Sequence, residues 1–372
     1  MKLGILLIAL FPIQLFAQTM NLNFEFDDLA RVSKLYVPTG YDEQNEYPLV
    51  VLLHGLGGNG TEILQGSGLI AEANDPEHPF LIVSPTATVQ ALFDATEWNE
   101  GVNPLHTIDD VSYINALIDS VMVNYTINQE RIYCTGFSDG GFMTNRLACE
   151  LNNRIAAFAS VGGTRASSLA CSPDRGIPIF HIHGTADAVV SYNGDNLFGS
   201  PFLAALFMSV DEMMSDWIEE NSCVADIAAI SIGDDTEAYY YTACDDESEV
   251  WLYKVNGAAH EWNLTNDFNT AEVIWEFFDQ FSLIVGTEEI AENSNEVVVY
   301  PNPSSYSFSI NNNSSKFNYS LLDASGRLVE SGVIPTGISS LNVSNLPSGM
   351  YFMHYINAEN VAVTKKIQIL QN

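Results

Sequence analysis

Basic residues are scarce in this chain. Only 13 Lys and Arg stand against 47 Asp and Glu in 372 residues, a formal net charge of −34. A phosphate backbone or an anionic membrane surface would be repelled by such a chain, so nucleic acid is excluded as a working partner. The same charge favours solubility. After the N-terminus no stretch approaches the ~20 apolar residues that a membrane span needs. Cysteine is also sparse: there are five, and no C-x-x-C pairs them into a zinc or redox motif. What the chain has in quantity is apolar residues, at 47%, enough to exclude a disordered polymer and to fill more than one core.

Residues 1–17, MKLGILLIALFPIQLFA, combine one early Lys, a short apolar run and a small residue at Ala17. This is the pattern of a cleaved secretory signal peptide, and it makes disulfides permissible. Cys223 and Cys244 flank an acidic, strand-like segment and are the leading pair, with Cys149 and Cys171 second. Cys134 lies in the apolar run Ile132-Tyr133-Cys134 and reads as a buried small hydrophobe.

Residues 18–284 alternate strand-like and helix-like stretches. Phe24–Phe26 and Val32–Tyr36 suggest a hairpin turning at Asp27-Asp28. Apolar runs at 49–53, 80–83, 132–135, 179–182 and 250–255 are mostly continuous, as in strands covered on both faces of a mainly parallel sheet. Helices are expected after a capping box at Thr107–Asp110, over Leu203–Trp217 and over Ala271–Phe281. The expected fold is α/β. Residues 285–296 are polar and acidic and read as a linker. Residues 297–372 are rich in Asn and Ser, lack Cys and Trp, and show short alternating segments, the pattern of a small β-sandwich. Turns are expected at Asp323–Gly326 and Pro347–Gly349.

Gly136-Phe137-Ser138-Asp139-Gly140 is a G-x-S-x-G between the run 132–135 and a helix-like stretch, Phe142–Leu151. A serine on a sharp strand-to-helix turn exposes its hydroxyl, and the flanking glycines make room as strand and helix converge. Such a serine needs a base and an orienting acid, in the chain order Ser, acid, His. Asp187 follows the run 179–182, and His260 follows the run 250–255 through Asn256–Ala259. Ser138, Asp187 and His260 are therefore the candidate catalytic set. His54 reads as a structural residue shaping the Gly55–Gly58 turn. His181 and His183 precede the acid and are poor candidates for the base. Two backbone N–H groups, of Leu56 and Asp139, are expected to form an oxyanion hole. Trp98 and Trp262 are candidate substrate platforms, with core or rim packing as the alternative for each. Asp109 and Asp110 read as a helix cap and not as a metal pair, and no metal or organic cofactor is expected.

The blocks LVVLLHGLGG (49–58), EWNEG (97–101), IDDVSYI (108–114), RIYCTGFSDGGFMTNRLACE (131–150), IFHIHGTADAVVSY (179–192) and GAAHEW (257–262) resemble the secreted esterases that include polyhydroxybutyrate depolymerase-like enzymes, feruloyl esterases and acetyl xylan esterases. The resemblance implies an α/β-hydrolase with a mainly parallel central sheet, the same Ser138–Asp187–His260 set, and a Cys223–Cys244 pair. It implies an ester substrate, polymeric or polymer-derived. Many relatives carry Gly-Gly-Gly-His-Thr-Trp-Pro where this chain has Gly257–Asn263, which places Glu261 beside the candidate base. Residues 297–372 resemble the C-terminal sorting domain of type IX secretion cargo, through Val299–Pro303, Asp323–Gly326, Leu346–Phe352 and Lys366–Ile369. That implies the outer-membrane secretion machinery of a Gram-negative bacterium as partner, and a secreted or surface location. Two other readings stay open: a serine peptidase on the same fold, and a non-catalytic surface protein that binds carbohydrate.

Overall fold

The computed structural model describes residues 17–91, 93–195, 197, 200, 206–224, 229–283, 297–300, 307–312, 316–323, 327–356 and 362–369. The signal-peptide run up to residue 16, the expected linker and the tip of the turn at 324–326 lie outside the described residues. Contacts divide the chain into two compact units, Met1–Val285 and Gly286–Asn372.

In chain order the first unit holds β1 (Gln18–Phe26), β2 (Leu29–Val37), β3 (Tyr47–Leu53), α1 (Gly60–Gly66), α2 (Leu69–Ala73), β4 (Leu81–Pro85), β5 (Thr88–Gln90), β6 (Ala95–Glu97) and α3 (Asp110–Asn124). Then come β7 (Ile127–Phe137), α4 (Asp139–Glu150), β8 (Ala157–Val161), β9 (Ile179–Gly184), α5 (Val210–Glu220), β10 (Ile230–Ile232), β11 (Thr236–Tyr241), β12 (Val250–Val255) and α6 (Thr270–Phe278). Ten strands form one sheet in the order β1-β2-β4-β3-β7-β8-β9-β12-β11-β10. Its middle, from β4 to β12, is parallel, and antiparallel strands close both edges. This is an α/β-hydrolase sheet.

The continuous apolar runs are continuous because both faces of the sheet are covered. Along β3, Leu49, Val51 and Leu53 enter one core with α3, α4 and α5, through residues such as Ile114, Leu147 and Trp217. Val50 and Leu52 enter a second core with α1, α2 and α6, through Leu64, Leu69 and Phe277. The β1–β2 hairpin turns at Asp27 and Asp28, both at positive φ, a conformation that Asp tolerates better than most residues.

Two helix starts differ from the sequence reading. The cap of α3 is Asp109, whose side chain accepts the Ser112 N–H, and not Thr107. The helix expected from Leu203 begins at Val210, where Ser209 and Glu212 form a capping box; residues 203–205 lie outside the described set. Strand β8 (AFASV) was not anticipated, because its small residues make a weak apolar run. Disulfides join Cys149 to Cys171 and Cys223 to Cys244, and Cys134 is free and buried. Among the described residues no helix is long and apolar enough to cross a membrane.

The second unit contains β13 (Val297–Tyr300), β14 (Ser307–Asn312), β15 (Phe317–Asp323), β16 (Leu328–Ile334), β17 (Gly337–Asn342), β18 (Gly349–Ile356) and β19 (Ala362–Ile369). They form antiparallel sheets ordered β13-β14-β17 and β16-β15-β18-β19. Phe308 and Ile310 of the first sheet share a core with Leu321, Met353 and Ile367 of the second, a β-sandwich. Strands β16 and β17 were not anticipated, since Ser, Glu and Gly dilute their alternation.

Candidate active site

The turn between β7 and α4 fixes Ser138 at φ +55°, ψ −117°, a conformation that L-residues avoid. Two glycines permit it. A Cβ on Gly136 would stand 2.2 Å from the Gly140 carbonyl oxygen, and one on Gly140 would stand 2.4 Å from that of Leu53. The Ser138 carbonyl accepts the Gly141 and Phe142 N–H groups, which locks the first turn of α4 beneath the hydroxyl.

Asp187 lies in the loop after β9, and His260 in the loop after β12, both at the C-terminal ends of parallel strands. Ser138 Oγ is 2.8 Å from His260 Nε2, and His260 Nδ1 is 2.6 Å from Asp187 Oδ2. With a carboxylate on Nδ1, that nitrogen carries the proton, and Nε2 is left to accept from Ser138. Asp187 Oδ1 accepts the N–H groups of Val189 and Val190, both at 2.8 Å. Burial pushes the Asp187 carboxyl up, but hydrogen bonds from His183 and His260 outweigh it and hold the group below the usual carboxylate range.

Behind this contact runs a buried series the sequence reading did not assign. Ser160 Oγ is 2.7 Å from His181 Nδ1, His181 Nε2 is 3.0 Å from His183 Nδ1, and His183 Nε2 is 2.9 Å from the Val190 carbonyl and 3.4 Å from Asp187 Oδ2. The Val190 carbonyl can only accept, so His183 donates from Nε2 and receives the His181 proton on Nδ1. Burial, with His183 adding to it, pushes His181 well below the usual histidine range, so the His181 ring is neutral. The signal for this series was two histidines at i and i+2, on one face of a strand.

His54 has the structural role expected of it. Its Nδ1 donates to the Gly55 carbonyl at 2.7 Å, its Nε2 accepts the Ala87 N–H at 3.0 Å, and burial lowers its pKa. The following loop folds back through Gly57 N–H to Thr96 and Gly58 N–H to Gly55. Leu56, Ser138 and Asp139 together line one side of a cavity of about 250 Å³. Its other walls are mainly apolar, with Phe93, Val102, Leu105, Phe142, Val190, Leu197 and Leu206, but Glu97, Glu100 and Asn103 also reach it. Burial pushes the Glu100 carboxyl up to about 8. Burial and the nearby Glu100 raise the Asp139 carboxyl well above its usual range, and its Oδ2 accepts the Trp98 N–H at 2.9 Å.

Neither tryptophan is a substrate platform. Trp98 is fully buried, with its indole N–H on the His54 carbonyl at 3.0 Å. Trp262 is buried in the second core, with its N–H on the Ser67 carbonyl at 2.8 Å. Both brace loops that carry the site; Trp262 packs edge-on against Phe137, whose ring lies 4.8 Å from that of His260. Asp109 and Asp110 are likewise not a metal pair: Asp110 holds Arg31 at 2.6 Å and the Asn99 N–H at 2.9 Å.

Comparison with known proteins agrees with this architecture. Residues 40–214 match the phospholipase/carboxylesterase family, and residues 298–370 match the secretion system C-terminal sorting domain. The chain is 28% identical to feruloyl esterase B of Piromyces equi over 261 residues, 66% of this chain but 44% of that protein. The matched part thus spans less than half of that relative's length. It is 25% identical to feruloyl esterase D of Neurospora crassa over 71% of this chain and 85% of the relative. The structure of an acetyl xylan esterase from Aspergillus awamori superposes with a TM-score of 0.51 at 13% identity, covering 70% of this chain and 99% of that one, a likeness of fold. Residues 40–214 are thus similar to the phospholipase/carboxylesterase family, on an α/β-hydrolase fold, and residues 298–370 are similar to the secretion system C-terminal sorting domain.

Proposed function

We propose that the chain is an exported serine esterase that cleaves carboxylic esters of plant cell-wall polysaccharide, with feruloyl-type aromatic acyl groups as its preferred cargo. The observation that carries this reading is the hydrogen-bonded series Ser138–His260–Asp187 opening onto an apolar cavity. In this reading His260 Nε2 takes the Ser138 proton as Oγ attacks the ester carbonyl. The negative charge moves to the carbonyl oxygen, against the N–H groups of Leu56 and Asp139. His260 then gives its proton to the leaving alcohol, and the acyl group stays on Ser138. A water, deprotonated by the same imidazole, releases the acid and restores the serine. Asp187 holds the ring in the donating tautomer and favours its charged form. Each oxyanion donor contributes about 10²–10³ in turnover.

The cavity supports an aromatic acyl group. An acetyl would leave most of a 250 Å³ apolar space empty, whereas a planar phenylpropenoyl group between Phe93, Phe142 and Leu56 would fill it. The names of the two feruloyl esterases above point the same way. The C-terminal unit is proposed to direct passage through the type IX machinery of a Gram-negative outer membrane, with release or display at the surface. Purified protein assayed side by side on methyl ferulate, acetylated xylan and a hydroxybutyrate polymer tests the reading. Methyl ferulate is expected to give the highest kcat/KM; turnover of acetylated xylan or the polyester alone would overturn the acyl assignment.

A further inference from the structure

Beneath the same cavity lies a group of side chains that the hydrolytic scheme does not use. Glu97 ends β6, Glu100 follows it, and His106 sits in the loop leading to α3. They are only 2%, 4% and 5% exposed. One possible ligand atom from each, two carboxylate oxygens and a ring nitrogen, lies within 4.8 Å of the other two. Within hydrogen-bond geometry, Glu100 Oε2 and both ring nitrogens of His106 have no partner. The nearby guanidinium groups are committed elsewhere, Arg31 to Asp110 at 2.6 Å and Arg146 to Glu150 at 2.7 Å. Among the described residues no ion pair reaches Glu97 or Glu100. Two buried carboxyl groups side by side resist carrying charge, and a cation held between them would offset that cost.

The geometry points to a binding site for one divalent first-row cation of the Zn²⁺ or Mn²⁺ kind, held by Glu97, Glu100 and His106. Two carboxylates and an imidazole form an oxygen and nitrogen donor set that suits these ions, while the imidazole disfavours Ca²⁺ and Mg²⁺. A single cation would engage Glu100 Oε2 and one nitrogen of His106, and bring two positive charges to two groups that no ion pair reaches among the described residues. The surroundings are those of a metal site. Asn103 Nδ2 holds both oxygens of Glu97 at 3.1 Å, and Asp110 Oδ2 stands 3.9 Å from His106 Nε2, a carboxylate placed to orient a ligating ring. Bonds of about 2.0–2.2 Å put ligand atoms roughly 3.4 Å apart in a tetrahedron, so the side chains need to draw in by on the order of an ångström. Because Glu97 and Glu100 also line the cavity, the ion's open side would face it. The assignment is independent of which ester is cleaved, and of whether any is.

The purified full chain, freed of metal by chelator and then incubated with ZnCl₂ or MnCl₂ alone and dialysed, tests this by metal content and calorimetric titration. One ion per chain is expected for the native sequence, with affinity at least tenfold weaker in Glu100→Gln and His106→Gln. His78→Gln, which alters an exposed histidine beside Asp279, is expected to bind as the native chain does. Retention of less than about a tenth of an ion by the native chain, or unchanged binding in both ligand variants, would overturn the assignment. Anomalous scattering from zinc-soaked crystals of the native chain decides the matter without variants. A peak among the three side chains supports the site; a peak elsewhere, or none, refutes it.

Discussion

His183 Nε2 stands 3.4 Å from Asp187 Oδ2, the same oxygen that receives His260 Nδ1 at 2.6 Å. The acid is thus gripped from the strand side as well as by its own loop. His183→Gln should leave the cavity open but loosen the carboxylate that orients His260. Turnover of a small aryl ester is expected to fall on the order of tenfold, with KM little changed, since small misplacements of a positioning group are felt mainly in kcat. Steady-state kinetics check this, and kcat within roughly twofold of the native value would remove His183 from the positioning role.

Deeper in the series, His181 is buried and neutral, because burial holds its pKa well below the ordinary histidine value of 6.5. Below pH 6.5 the unfolded chain binds a proton there that the folded chain does not. Unfolding then takes up a proton, and stability contributed by this site is lost as pH falls. A His181→Gln variant lacks that linkage. Its stability deficit relative to the native chain should shrink as pH drops below 6.5, by up to about 1.4 kcal/mol per pH unit. Urea unfolding of both proteins between pH 7.5 and 5.5 measures the gap; a constant gap would contradict a buried neutral ring.

The elbow makes a steric prediction. A methyl on Gly140 meets the Leu53 carbonyl oxygen at 2.4 Å and that of His54 at 2.7 Å, both backbone atoms that cannot swing away. Gly140→Ala should cost on the order of 1–3 kcal/mol. Gly66, by contrast, ends α1 with nothing within 4 Å of its would-be Cβ. Gly66→Ala should be neutral or stabilising by up to about 1 kcal/mol. Denaturant midpoints of the two variants check both signs.

Thiol chemistry follows from burial. Cys149–Cys171 and Cys223–Cys244 are joined, and burial pushes the Cys134 thiol up to about 12. The folded oxidised protein is expected to give no reaction with an aromatic disulfide reagent, and one thiol per chain once unfolded. Reduction of the two bridges should cost about 2–4 kcal/mol for each. A rapidly reacting thiol in the native state would contradict the placement of Cys134.

The parts of the site legible in the sequence were those with a local signature. The glycines around Ser138 announce a turn because convergence of strand and helix leaves no space for side chains. Asp187 and His260 follow apolar runs that had to be parallel strands, so their loops had to meet at one end of the sheet. Trp98 and Trp262 stayed open between platform and packing because a tryptophan near a motif looks the same whether it faces a ligand or a core; only the packing of His54, Ser67 and Phe137 decides it. His181 and His183 looked like interruptions of a strand, and their partnership depends on Ser160 of the neighbouring β8, a strand whose small residues hid it. Glu97, Glu100 and His106 converge only because the loops around β6 fold inward, a tertiary outcome that no spacing rule encodes.

The central claim, that Ser138 is made nucleophilic by His260 and Asp187, is tested most directly by intact-mass analysis after exposure to a serine-reactive aryl phosphonate. The account predicts one covalent adduct per chain, mapped to Ser138, with none in Ser138→Ala and labelling slowed by about 10⁴ in Asp187→Asn. A native chain that stays unmodified, or a Ser138→Ala protein that is labelled at the native rate, would contradict it.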